Sequence, residues 1–198
     1  MIVDLLVYAV SIGFLILFVI GFRKTDMTLK KMIVISLFSA IAFILSFIQF
    51  ISYPQGGGIN LVPMVPIMLI GILYGNAEGM TCGLIFGILS LITGGHIVSI
   101  AEALLDYILA FVVLGLSGFV GRDNKYKILI SSIIVVALSV FSNIVSGVYF
   151  YGEYAPQGMN VWKYSIVYNL TSTGVVGILS IIVIMLLPLN KLKKAIKA

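Results

Sequence analysis

Apolar residues run in seven stretches along this chain, at about residues 2–22, 29–52, 60–74, 77–93, 98–120, 126–151 and 162–188, each closed by charge, glycine or proline. Most reach the roughly 20 residues that an α-helix needs to cross about 30 Å of hydrocarbon. The pattern predicts seven helices in one polytopic membrane domain. The intervening loops 53–59, 94–98 and 152–161 bear glycine and little charge, whereas those after the first and fifth runs are basic.

Composition agrees with the pattern, since 61% of the 198 residues are hydrophobic, 10% are charged and the mean hydropathy is +1.21. A water-soluble domain is excluded. Cys82 is the only cysteine, which excludes a disulfide within the chain and a cysteine metal cluster. The net charge of +5 does not signal nucleic acid, because the basic residues sit at the ends of apolar runs and form no stripe interleaved with aromatics. Arg23, Lys24, Lys30 and Lys31 follow the first run, Arg122, Lys125 and Lys127 follow the fifth, and Lys191, Lys193, Lys194 and Lys197 end the chain. Seven alternating helices put all three clusters on one side, so the C-terminus is expected in the cytoplasm and the N-terminus outside. The first run carries Asp4, has no basic residue before it and lacks a clear small-residue cleavage site, so it reads as a retained helix.

The candidate chemistry lies between Asn143 and Asn169, where five tyrosines, the only tryptophan and three asparagines crowd around one polar loop. Lipid-facing helices have no use for so many hydroxyls and amides, so a polar ligand is expected there. Asn143, Gly147 and Tyr151 recur every fourth residue, which reads as an amide, a gap and an aromatic on one helix face, or as a small-residue packing seam. Tyr164, Tyr168 and Asn169 add phenols and an amide, while Tyr154 and Trp162 fit an interfacial aromatic belt equally well. On the preceding run Glu102 and Asp106 are one helical turn apart. Asp106, deeper in the run, reads as a counter-charge for a cationic or donating ligand, or else as a buried acid satisfied by its neighbours. Glu102 lies nearer the end, where solvent could satisfy it.

His96, the only histidine, stands in the glycine-rich loop at 94–98, and a metal would need two or three further ligands that the sequence does not supply. Neither a metal nor a cofactor is expected. HExxH, GxSxG and P-loop signatures are lacking, so the chain does not read as an enzyme. Ser36 and Ala40 give the second run a small-residue surface on which another helix could pack closely.

Together these residues resemble the substrate-binding S components of energy-coupling factor (ECF) vitamin transporters, closest to the thiamine-specific branch, over about residues 32–188. The resemblance is carried by Ser36 and Ala40, Pro66, Thr93-Gly94, the block Asp106-Tyr107-Ile108-Leu109-Ala110-Phe111, Gly147 with Tyr154-Ala155, and Tyr164-Ser165 with Asn169. It implies an all-α membrane bundle of six core helices, here residues 29–198, preceded by an extra transmembrane helix and basic loop over residues 1–28. It also implies capture of a thiamine-like vitamin or precursor near the external face. A transmembrane coupling subunit, docked on Ser36 and Ala40 and driven by two ATPase subunits, would complete a lipid-embedded importer.

Asp106, Tyr107, Asn143, Gly147, Tyr151, Tyr164 and Asn169 are the implied binding residues, with Glu102 and His96 as further candidates. Where thiamine binders generally carry glutamate, histidine and tryptophan, this chain has Asp106, Asn143 and Tyr151, and glycines stand where an aromatic lid is expected in the first external loop. Three other readings stay open: an S component for a different water-soluble vitamin, a stand-alone proton-coupled carrier using Glu102 and Asp106, and a membrane subunit without a ligand.

Overall fold

A computed structural model describes residues 2–53, 57–94 and 97–197. Among the described residues five helices are long and apolar enough to cross a membrane: α1 (Ile2–Arg23), α2 (Leu29–Phe47), α4 (Asn76–Gly94), α6 (Lys125–Phe150) and α7 (Val161–Leu186). Between α2 and α4 lies α3 (Met64–Leu73), whose ten residues span only about 15 Å. Met64, Pro66 and residues 67–72 of this helix are buried, so its ends are sheltered by protein and need not reach either membrane surface. The fifth run forms α5 over residues 100–116, a helix that changes pitch three times.

The second run departs from expectation at its end. α2 stops at Phe47, and Gln49–Ser52 become strand β1, paired antiparallel with β2 (Gly58–Asn60) through Gln49 with Asn60 and Ser52 with Gly58. Continuous hydropathy could not mark this break. The chain is folded back by polar groups, because Asn60 Nδ2 donates to the Ser46 carbonyl and Leu61 N to Ile48 O at 2.9 Å. Beyond the expected end of the seventh helix, α8 (Leu189–Lys197) buries Leu189 in the main core and exposes Lys191 and Lys194.

α4 and α5 meet almost backbone to backbone. Gly79, Gly83 and Gly87 stand every fourth residue on α4, and a Cβ at Gly83 would come within 2.8 Å of the Phe111 carbonyl carbon. At Gly87 it would lie 3.1 Å from the Tyr107 carbonyl carbon. Glycines in this register let two helices approach where any side chain would hold them apart. The seam fixes the depth of α5, and α5 carries the acids.

The basic end of the bundle is pinned by charge. Lys31 Nζ pairs with the buried Glu78 at 2.8 Å, Arg122 Nη1 donates to Tyr74 O at 2.7 Å, and Lys193 donates to Arg122 O. At the opposite end Tyr53 donates to Thr171 O at 3.2 Å, tying the hairpin to α7. α1 touches α4 and α5, buries Val7 and leaves most of its other apolar side chains exposed, as a lipid-facing helix would.

Candidate ligand-binding site

A cavity of about 220 Å³ opens at the hairpin end between α5, α6 and α7. That is somewhat below the roughly 300–1,000 Å³ usual for small-molecule pockets. A second space of about 350 Å³ beneath the hairpin shares Gly57, Tyr107, Asn143 and Thr173 with it. The first cavity is walled by Asp106 and Tyr107 from α5, Asn143 and Gly147 from α6, and Tyr151 just beyond α6. α7 adds Tyr164, Ser165, Tyr168, Asn169, Ser172 and Thr173, while Tyr154 and Gly57 complete the rim.

Two helices widen beside this cavity. Residues 104–109 of α5 form a π-helical turn in which Ala110 N reaches back to Leu105 O, and that turn carries Asp106 and Tyr107. α7 carries a second π segment, Leu170–Gly174, immediately after Asn169, and it bears Ser172 and Thr173. Extra residues in a turn shift side chains out of the ordinary helical register, and such bulges occur often at functional sites. Sequence spacing could place these residues on one face but not reveal the widening.

The hydrogen bonds within the walls determine what remains for a ligand. Asn169, 7% exposed, commits its Nδ2 to Ser165 O at 3.0 Å and to Asn143 O and Ser165 Oγ at 3.3 Å each. Its carbonyl oxygen remains. Asn143 commits Nδ2 to Thr173 Oγ1 at 3.3 Å, and its Oδ1 is buried without a partner. Asp106 Oδ1 is likewise buried and unpartnered. Three side chains therefore offer acceptors in a wall otherwise made largely of tyrosine rings. A group that supplies donors or positive charge would satisfy them, since a buried acceptor without a donor is costly.

Gly147 is both a wall residue and a packing residue: a Cβ there would stand 3.3 Å from Ser165 Cβ and 3.4 Å from Asn169 Nδ2. Its missing side chain lets α7 come close enough for Ser165 to donate to Ile144 O at 2.7 Å. Tyr168 Oη accepts from Gly57 N at 2.9 Å, and its ring packs on Tyr53 and Tyr164 at centroid distances of 5.8 and 5.9 Å. Tyr53 thus supplies an aromatic in the first external loop, where the sequence reads glycines in place of an aromatic lid.

The structure brings together Asp106, Tyr107, Asn143, Gly147, Tyr151, Tyr164 and Asn169. Glu102 is not among the wall residues, and it is fully buried rather than solvated. Tyr151 lies one residue past the end of α6, so helical spacing from Asn143 does not set its position. His96 lies outside the described residues. Ser36 and Ala40 are exposed on α2, while their neighbours Ser39 and Ala42 are buried, Ser39 donating to Cys82 O at 3.2 Å. Trp162 is exposed and packs edge-on to Tyr149, away from the cavity wall. Sequence reasoning missed Ser165, Ser172, Thr173 and Gly57 as wall residues, and gave Tyr168 no distinct role. Tyr168 and Thr173 follow Tyr164 and Asn169 by four, a spacing that could have found them. Among the described residues no group of three or more His, Cys, Asp or Glu could hold a metal.

A multi-pass membrane bundle with a tyrosine-walled cavity at one end has the architecture of an S component. The S component of a bacterial ECF transporter superposes with a TM-score of 0.57 at 21% identity, covering 85% of this chain and 98% of that one, a likeness of fold. ThiT from Listeria monocytogenes superposes with a TM-score of 0.69 at 29% identity, covering 82% of this chain and 94% of that one. Thiamine transporter ThiT of Bacillus subtilis is 34% identical over 158 residues, and that of Lacticaseibacillus paracasei 30% over 164, each match covering 72% of this chain and 82% of the relative. The family model for thiamine transporter proteins (Thia_YuaJ) matches residues 32–196, and the chain belongs to that family. It is a transport protein, not an enzyme, and α1 precedes the matched residues.

Proposed function

We propose that this chain is the substrate-capture subunit of an ECF-type importer and that it binds thiamine in the cavity between α5, α6 and α7. The observation that carries the reading is the hydrogen-bond inventory of the wall: acceptors on Asp106, Asn143 and Asn169 among rings of Tyr107, Tyr151, Tyr164 and Tyr168. Thiamine joins a donating aminopyrimidine to a cationic thiazolium, so it brings donors and charge for these acceptors and flat rings to stack on the tyrosines. Asp106 would neutralise the positive or donating edge, Asn143 and Asn169 would fix orientation, and the tyrosine rings would stack and supply cation-π attraction. Gly147 leaves room for this arrangement. His96 is a candidate for closing the external loops over the ligand.

In this reading the hairpin end faces outside and the basic end faces the cytoplasm, with the N-terminus outside. Residues 29–198 form the capture domain, and residues 1–28 an added helix with its basic loop. The exposed Ser36 and Ala40 are the close-approach surface for a transmembrane coupling subunit, which two ATPase subunits drive. The proton-coupled alternative would use Glu102 and Asp106, and it predicts uptake by this chain alone that collapsing a pH gradient abolishes.

Isothermal titration of the purified chain with thiamine tests the proposal. Saturable one-to-one binding without a coupling ion is expected. If thiamine gives no heat and no thermal stabilisation, the thiamine assignment falls, and a screen of other B vitamins and pyrimidine precursors selects another ligand.

A further inference from the structure

We infer that Glu102 is a positioning residue: it holds the Tyr151 ring in the cavity wall and does not itself meet the ligand. The role in binding rests on the thiamine reading above, whereas the contact itself does not. Glu102 is fully buried, and each of its oxygens has a protein partner. Oε1 accepts from the Tyr151 hydroxyl at 3.0 Å and Oε2 from Val98 N at 3.3 Å, while the residue's own N–H donates to Ser99 Oγ at 3.1 Å. Ser99 and Glu102 thus make a variant of the capping box, with the carboxylate reaching one residue further back than usual.

Tyr151 needs such a hold. It follows the last residue of α6 with φ −121° and ψ 16°, so no helical backbone fixes its side chain, and a turn at Gly152–Tyr154 leads away from it. Its ring lies 6.1 Å from that of Tyr154, and its hydroxyl ends on Glu102. A hydrogen bond to a carboxylate is about twice as strong as one between neutral groups, and burial strengthens it further. Asp106, one turn along α5, keeps an oxygen free. Two acids at neighbouring turns therefore divide the work: Asp106 faces the ligand and Glu102 faces the wall. A phenol in this place needs an acceptor behind it, whereas a phenyl ring does not, and that difference makes the assignment testable.

The test is a double-mutant cycle on the full chain with Glu102→Gln, Tyr151→Phe and the pair, read by thiamine titration and by ligand-free thermal unfolding. Each single substitution is expected to weaken thiamine binding roughly tenfold, as for one charge-assisted hydrogen bond. The pair is expected to bind within about twofold of Tyr151→Phe alone, because the second change removes nothing further. Ser99→Ala, which loosens the cap without touching Tyr151, is expected to lower the unfolding temperature and leave affinity within about twofold. A Glu102→Gln penalty undiminished in the Tyr151→Phe background overturns the assignment, as do single variants that bind like the parent. If Glu102→Gln does not fold, unchanged affinity of Tyr151→Phe is sufficient to overturn it. Should the parent bind no thiamine, the capture reading falls. The ligand-free cycle then decides alone: non-additive unfolding shifts support the pair, and additive shifts refute it.

Discussion

Replacing Asp106 by asparagine separates a binding charge from a structural one. The substitution keeps the side chain's shape, removes its charge and puts a donor where a donating ligand would approach. Asp106 Oδ1 is buried without a partner, so the ligand-free protein bears the cost of a carboxylate oxygen held away from water. Hydrogen bonds to a charged group contribute about 1.5–3 kcal/mol, which is roughly 10- to 150-fold in affinity. Thiamine titration of Asp106→Asn should show a loss in that range, while the ligand-free unfolding temperature stays level or rises. Asp106→Glu keeps the charge and should retain more affinity than Asp106→Asn. Affinity within about twofold of the parent would sink the argument that this carboxylate is the counter-charge. A parallel fall in unfolding temperature and affinity would also defeat it, because Asp106 would then be holding the fold.

Gly147→Ala should lower affinity and destabilise the chain by about 1–3 kcal/mol, since its Cβ crowds Ser165 and Asn169; titration and thermal unfolding report the two effects. Gly83→Ala presses on the backbone of α5, which cannot give as a side chain can, and should cost about 3 kcal/mol, or roughly 6–12 °C in unfolding temperature. Lys31→Met leaves Glu78 buried and unpaired, and should destabilise by about 3 kcal/mol in thermal unfolding without altering the thiamine dissociation constant by more than about twofold. Ala40→Leu should abolish co-purification with the coupling subunit and leave titration unchanged, because its side chain points out of the bundle.

How far the sequence reached depended on which forces set each feature. Membrane-spanning runs were legible because hydropathy and helix length are local quantities, and Asn143 and Gly147 on α6 were legible because four-residue spacing selects a face, whereas on α7 Tyr164 and Asn169 were picked out and Ser165, Ser172 and Thr173 were not. The hairpin was not, since Phe50 and Ile51 continue an apolar run while the break is made by Asn60 and Leu61 reaching back to Ser46 and Ile48. The fate of Glu102 was not legible either. A carboxylate near a helix start reads as solvated, and its burial depends on Tyr151, 49 residues later, turning back to meet it. The glycine stripe at Gly79, Gly83 and Gly87 stood in the sequence as a close-packing signal and went unused, although it sets the position of Asp106 and Tyr107.

That stripe also bears on how a site of this kind keeps its shape. A cavity with buried acceptors left unpartnered bears a cost when empty, so its shape has to be supported from outside the ligand contacts. Here the wall acceptors hang on elements fixed by other means: α5 by backbone contact with α4, α7 by Gly147 and the Ser165 bond to Ile144, and Tyr151 by Glu102. The unsatisfied oxygens of Asp106 and Asn143 are then a cost the scaffold carries until a ligand arrives. Loosening any one support should lower affinity without deleting a single ligand contact, so Gly83→Ala is expected to weaken thiamine binding although Gly83 lies off the cavity wall. Undiminished affinity in a folded Gly83→Ala chain would show that the α4–α5 seam serves stability alone.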